Sequence, residues 1–279
     1  MRGGSLNSEI GLRDALRFQD AEKYAAYLKT PPGRLRSELA WANLRHFLPH
    51  DAAKHRALDV GGGTGSASVQ LARLGHEVVL LDGSDQMLRI ARQDADAWNV
   101  TPRISFCHAD TGQLRELFAA ESFDVVVCHS LLEYSEVPST TVRDMAHVLR
   151  NDGVLSILVR NRAGEVLKDA AKSGDWKLAT ANLTAETVVD TLYGNRMRLF
   201  APADLHEMLA RAGLEIVAER GVRVFFDYLA QQNPTNEAYS QIFELESKLG
   251  ARPDFLAIAR YIQVIARRSR ASSSEVTVP

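Results

Sequence analysis

From Arg56 onward the chain alternates short apolar runs with stretches whose apolar residues recur at helical spacing. The runs RALDV, EVVLLD, RISFC, FDVVVCH, GVLSILVR, LEIVAER and RYIQVIA are each too short for a typical helix, and most are bounded by Gly, Pro, Asn, Asp or charge. They predict seven strands. Helical stretches at 66–74 and 84–98 separate the first of them, which is the βαβ alternation of a doubly wound α/β sheet. Ala238, Ile242, Leu245 and Leu249 predict a helix over residues 236–250, joining the last two strands. Residues 12–47 read as two helices broken at Pro31-Pro32-Gly33, a triplet that marks a turn. The division expected is one domain over 12–268. Residues 12–50 form a helical lid on the sheet, and a polar, partly helical insertion over 161–200, after the fifth strand, is a second candidate lid. A flexible N-terminus (1–11) and a Ser-rich, disordered tail (269–279) flank the domain.

Composition narrows the class. The 279 residues are 46% hydrophobic and 24% charged, ordinary for a globular chain with a sizeable core. Lys plus Arg against Asp plus Glu gives 33 − 35 = −2, so no global field holds a polyanion and any nucleic-acid contact must rest on a local patch. Cys107 and Cys128 both lie inside apolar runs and make no disulfide framework; a reducing cytoplasm is the expected compartment. No apolar run approaches the ~18 residues of a membrane span, and the first residues lack a secretory apolar core, so no membrane association is expected.

The chemistry concentrates in Leu58-Asp59-Val60-Gly61-Gly62-Gly63-Thr64-Gly65, which ends the first strand and opens a helix. Glycine at every second position lets the chain turn sharply and brings bare backbone against a ligand. A dinucleotide loop would have G-x-G-x-x-G, whereas residue 66 is Ser, and the G-K-[ST] ending of a nucleotide-phosphate loop is missing. The next strand ends in Asp82, where an acid accepts both hydroxyls of an adenosine ribose; the competing reading makes Asp82 the cap of the helix that follows. Together the acid, the glycines and the second acid specify an adenosine-containing ligand.

This pattern resembles the class I S-adenosylmethionine-dependent methyltransferases, over roughly residues 56–160. The resemblance implies a seven-stranded sheet with its last strand antiparallel and S-adenosyl-L-methionine across the C-terminal ends of the first strands. Gly61 and Gly63 would approach its methionine part, Asp82 the ribose, Asp110 the adenine amino group, and His129 its flank. The set of cofactor residues implied is Arg36, Asp59, Gly61, Gly62, Gly63, Gly65, Asp82, Gly83, Met87, Asp110, Thr111 and His129. Further stretches extend the likeness: Gly33-Arg34-Leu35-Arg36 with Trp41, His129 to Tyr134, Gly221 to Phe225 with Asp227-Tyr228-Leu229, and Arg260-Tyr261-Ile262. They resemble the bacterial family that esterifies carboxymethoxyuridine at the tRNA wobble position. In that family's pattern Arg36 would reach the cofactor carboxylate. A lysine-rich insertion found in members of the family is replaced here by WKLATANLTAETVVDTLYGNRMRLF, with Lys172, Lys177, Arg196 and Arg198 scattered among acids.

Methyl transfer from a sulfonium asks the protein chiefly to align the reacting atoms. A carboxylate acceptor is already ionised at neutral pH and needs a cationic clamp rather than a base. Arg223, expected in a strand among aromatics at 225, 226 and 228, is the clamp candidate, against a structural salt bridge to Asp227 or Glu219; Arg260 is the second candidate. His129 is the candidate base for a hydroxyl or amine acceptor, with packing against the ligand as the alternative, and Glu133 and Tyr134 would shape the pocket floor. His46 and His50 have ligand spacing, but Pro49 intervenes and no third ligand is evident, so no metal is expected. The leading expectation is a carboxyl methyl ester on carboxymethoxyuridine in a tRNA anticodon. The alternatives are a small-molecule carboxylate, hydroxyl or amine, a non-catalytic cofactor-binding module, and a nicotinamide oxidoreductase, which the glycine spacing disfavours. Oligomeric state is left open.

Overall fold

The computed structural model describes residues 21–49, 54–190, 192–230 and 233–268; the expected flexible N-terminus and disordered tail lie outside them. Two helices come first, α1 (Ala21–Lys29) and α2 (Pro31–Arg45). The predicted turn at Pro31-Pro32-Gly33 is instead the first turn of α2, capped by Thr30. Proline suits that place, where its missing N–H would have no helical partner. Gly33 is required by packing, since a Cβ there would lie 2.1 Å from the Tyr27 carbonyl oxygen of α1.

The sheet alternates as expected through β1 (Arg56–Val60), α3 (Ser66–Arg73), β2 (Glu77–Asp82), α4 (Asp85–Ala97), β3 (Ile104–His108), α5 (Leu114–Leu117), β4 (Phe123–His129), α6 (Pro138–Val148) and β5 (Leu149–Arg160). The insertion follows as α7 (Arg162–Leu167), a wide turn at Lys168–Lys172, α8 (Trp176–Asn182), and a hairpin of β6 (Thr187–Val189) with β7 (Arg196–Arg198). The insertion is partly helical as expected, and the hairpin is an element the sequence reading did not place. Its turn is held by Asp190, which accepts from the backbone N–H of Leu192, Tyr193 and Asn195 at 2.8, 2.6 and 3.0 Å. The chain ends in α9 (Pro202–Arg211), β8 (Leu214–Val222), α10 (Asn236–Gly250), α11 (Pro253–Leu256) and β9 (Tyr261–Arg268).

Seven strands form one sheet in the order β3-β2-β1-β4-β5-β9-β8. The first five pair in parallel, and β9 is antiparallel to both β5 and β8. Side chains alternate between the faces. Leu58, Val126, Ile157 and Val264 pack on one side with α6 and α9, while Ala57, Val125, Val154 and Ile265 pack on the other with α2, α3 and α4. Connections leave β1 and β4 in opposite directions, so a crevice opens between them at the C-terminal edge, where ligands of such sheets bind. Asp82, His129 and Arg160 reach this edge at the ends of β2, β4 and β5, Arg223 just after β8, and Tyr261 at the start of the antiparallel β9.

Candidate active site

A cavity of about 640 Å³ occupies that edge. One wall is the glycine loop and the end of β2; the opposite wall is Arg160, Arg223, Arg260 and Tyr261; α1 and the insertion hairpin meet above it, Lys23 donating to the Leu192 carbonyl. A second cavity of about 730 Å³ lies behind the loop and shares Arg36, Gly61 and His129 with the first.

The four glycines divide by neighbour. Gly61, Gly63 and Gly65 have φ of +64°, +54° and +80°, the left-handed region that favours glycine. A Cβ on Gly63 would find no protein atom nearer than 3.6 Å, so the space in front of it belongs to a ligand. A Cβ on Gly61 would strike Leu131 at 2.7 Å, one on Gly62 would strike Asp59 and Leu80 at 2.8 Å, and one on Gly65 would press on Ala91 at 3.1 Å. Gly61 and Gly63 line the 640 Å³ cavity, whereas Gly62 and Gly65 serve the turn and its packing.

Asp59 also departs from expectation. Its Oδ2 accepts from the Ser68 N–H and hydroxyl at 3.1 and 2.7 Å, and it faces α3 rather than the 640 Å³ cavity. Burial raises its pKa to about 6 against those hydrogen bonds. It positions the loop. Asp82 does reach the cavity, with Oδ2 accepting from the Gly63 N–H at 2.8 Å and Oδ1 from the Ser84 N–H at 2.9 Å. Ser84, not Asp82, caps α4, so the helix-cap reading of Asp82 falls. Gly83, Met87, Asp110 and Thr111 continue the same wall. Asp110 caps a short turn through the Gly112 N–H at 2.7 Å.

Arg36 enters from α2, buried between the rings of Tyr24, Tyr27 and Tyr261. It donates to the Tyr24 hydroxyl at 2.8 Å and to Ser130 at 3.4 Å, and no carboxylate among the described residues pairs with it. His129 is buried beside it, and that burial, with the Arg36 charge, holds its pKa down at about 3. Burial and the Arg36 charge both disfavour the protonated ring, which makes His129 a weak base.

The opposite wall is richer in cations than the sequence suggested. Arg160 and Arg223 lie 4.7 and 5.5 Å from the Tyr261 ring centre. Arg223 does not sit in a strand: it follows the last residue of β8 with φ +60°, a conformation a non-glycine residue adopts only where its surroundings enforce it. Glu246 of α10 enforces it by accepting from the N–H groups of Val224, Phe225 and Phe226 at 2.6, 3.0 and 2.8 Å. Arg223 pairs with Asp227, the salt bridge expected as the alternative to a clamp, and also donates to the Tyr27 hydroxyl at 3.0 Å. Arg260 pairs with Glu165. Arg160 lines this wall although the sequence reading did not single it out; the charge closing the apolar run SILVR was its only signal. Tyr24, Tyr27 and Glu246 left no signal, because their roles depend on contacts distant in sequence.

This setting shifts two acids in opposite directions. Burial opposes ionisation of the Tyr261 phenol, but Arg160, Arg223, Arg36 and Arg260 outweigh it and bring its pKa to about 7. Burial pushes the Glu133 carboxyl up to about 7, with Arg160 and Arg36 countering in part. Glu165 is held at about 2, as Arg260, Arg160 and Lys168 overcome its burial. Buried atoms left without a partner gather here too: Glu133 Oε2, Arg160 Nε and Arg223 Nε.

A methyltransferase-domain family model matches residues 58–157. Over 254 residues the chain is 31% identical to the tRNA 5-carboxymethoxyuridine methyltransferase of Escherichia coli K12, spanning 90% of this chain and 95% of that one. The chain belongs to the S-adenosylmethionine-dependent methyltransferases. This methyltransferase is also 32% identical over 180 residues to the ubiquinone biosynthesis O-methyltransferase of Sinorhizobium medicae, but that match spans 63% of this chain and 66% of the relative. Among solved structures, an S-adenosylmethionine-dependent methyltransferase of Thermotoga maritima superposes with a TM-score of 0.59 at 14% identity, over 91% of this chain and 99% of that one. The cyclase SpnF superposes with a TM-score of 0.55 at 19% identity, over 84% and 81%. These likenesses establish the methyltransferase's fold, and no described helix is long and apolar enough to cross a membrane.

Proposed function

We propose that this methyltransferase esterifies the carboxylate of 5-carboxymethoxyuridine in tRNA, with the cofactor against Arg36, Gly61, Gly63, Asp82, Asp110 and the flank of His129. Bound S-adenosyl-L-methionine supplies a methyl group activated on a sulfonium sulfur. The observation that carries the acceptor is the wall of Arg160, Arg223 and Arg260 around Tyr261, facing the glycine loop across one cavity. An ionised carboxylate needs no base, and burial beside Arg36, which disfavours protonation of His129, supports an acceptor of that kind. Arginine forks orient the acceptor's two oxygens. Esterification neutralises the acceptor, so the attraction that held the substrate is lost in the product and release is favoured.

The tRNA reading is supported over a small-molecule carboxylate by extent. The match to the Escherichia coli tRNA enzyme covers 90% of the chain, too much to omit both the helical cap and the insertion. The reading is tested by incubating the protein with labelled cofactor and tRNA bearing carboxymethoxyuridine, followed by nucleoside mass spectrometry, with small carboxylic acids in parallel. The expected result is a methylated uridine derivative from tRNA alone. Transfer to the small acids without transfer to tRNA would overturn it.

A further inference from the structure

His129 lines both cavities, yet among the described residues the one hydrogen-bond partner of its ring is the hydroxyl of Ser156, 2.8 Å from Nε2. Ser156 is fully buried on β5, one strand over, in register two residues from the β4 terminus. Its oxygen also receives a hydrogen bond from the Gln263 side-chain amide of β9 at 3.0 Å. That amide is fully specified. Its nitrogen donates to Ser156 and to the Ala40 carbonyl at 2.9 Å, and its oxygen accepts from the Asn43 amide at 2.9 Å. Turned over, it would set its oxygen against the Ala40 carbonyl and its nitrogen against a donor.

The donor count then settles the histidine. Ser156 has one hydroxyl proton, its oxygen is already an acceptor from Gln263, and the one acceptor within reach of that proton is His129 Nε2. Were Nε2 protonated, the hydroxyl proton would be buried without a partner, which is costly in a site closed to water. Nε2 is therefore the acceptor and the ring proton sits on Nδ1, which has no partner among the described residues and is not among the buried unsatisfied atoms.

We propose that Asn43, Gln263 and Ser156 form a relay that fixes His129 as its neutral Nδ1–H tautomer, so that the site presents a hydrogen-bond donor, and no base, to the bound cofactor. The relay also ties the tautomer to the docking of α2. Arg36, Ala40 and Asn43 are spaced four and three apart, on one face of that helix; the same Gln263 amide that orders Ser156 holds Ala40 and Asn43. Asn43, Gln263 and Ser156 are positioning residues, and the inference holds whichever acceptor is methylated.

The test is nitrogen-15 spectroscopy of histidine-labelled full-length protein without cofactor. The result expected is a protonated Nδ1 and bare Nε2 for His129, unchanged from about pH 5 to about pH 9. In Gln263→Glu the carboxylate cannot donate to Ser156; its hydroxyl turns to residue 263, and His129 switches to Nε2–H. In Ser156→Ala the fixed tautomer is lost to a mixture, and affinity for S-adenosylhomocysteine by calorimetry falls about five-fold, while Ser156→Thr retains the wild-type spectrum. An Nε2–H tautomer in the wild type, titration of His129 between about pH 5 and about pH 8, or an unaltered tautomer in Ser156→Ala would each overturn the proposal, even where Gln263→Glu fails to fold.

Discussion

Gly61 and Gly63 stand two residues apart with nearly the same φ, yet they answer to different neighbours. Gly63→Ala meets open space, so it should cost about 1–2 kcal/mol of backbone strain and lower cofactor affinity at least tenfold. Gly61→Ala must displace Leu131 and should lower the melting temperature further, since overpacking typically adds about 1–3 kcal/mol; melting curves and calorimetry on the two variants separate ligand space from packing. Asp82→Ala, which removes a charged acceptor, should weaken the cofactor at least tenfold, as such hydrogen bonds contribute about 1.5–3 kcal/mol each. Tyr261 and Glu133 set the pH dependence. Both are neutral below about 7 and ionised above it, so rising pH adds negative charge to the wall that holds an anion. The substrate KM should rise about five-fold from about pH 6 to about pH 8 with kcat nearly flat, since a unit charge nearby is worth about 1 kcal/mol or more. Tyr261→Phe should remove part of that rise. A kcat that climbs with pH would indicate base assistance instead.

At the scale of elements, the turn after β8 depends on a helix remote in sequence. Glu246 is completely buried, raised in pKa by that burial, and accepts three backbone N–H groups. α10 can approach that closely because Gly250 packs on Gly221, where a Cβ would lie 2.1 Å from its carbonyl oxygen. Glu246→Ala should destabilise the protein by about 3 kcal/mol or more, from buried donors left unpaired. It should also raise substrate KM through the loosened Arg223, with cofactor affinity little changed; urea unfolding and steady-state kinetics check both. None of this was legible in the sequence, where Glu246 is one more charge on an amphipathic helix. The glycine loop was legible because its constraint is local. The insertion hairpin was missed because three-residue strands carry too little alternation, although Asp190 and Gly194 between TVV and RMR marked its turn.

Across the whole molecule the sequence pattern was most informative where burial is two-sided. All seven sheet strands were readable as apolar runs, since both faces are covered by helices. The functional edge was only partly readable. Cofactor residues follow strand ends in a regular way, while the arginine wall is assembled from β5, β8 and β9, which lie together in space through an antiparallel pairing that no local pattern encodes. The N-terminal helices and the insertion come together over the cavity, α1 touching the hairpin loop through Lys23 and Leu192. The central claim is the acceptor: a carboxylate held by guanidiniums, with no base. The alkali lability of the transferred methyl group tests it most directly. A methyl ester formed on tRNA is hydrolysed by mild alkali and releases volatile methanol carrying the label, which is the result this account predicts; label that remains on the RNA through the same treatment, as a methyl ether or methylamine would, contradicts it.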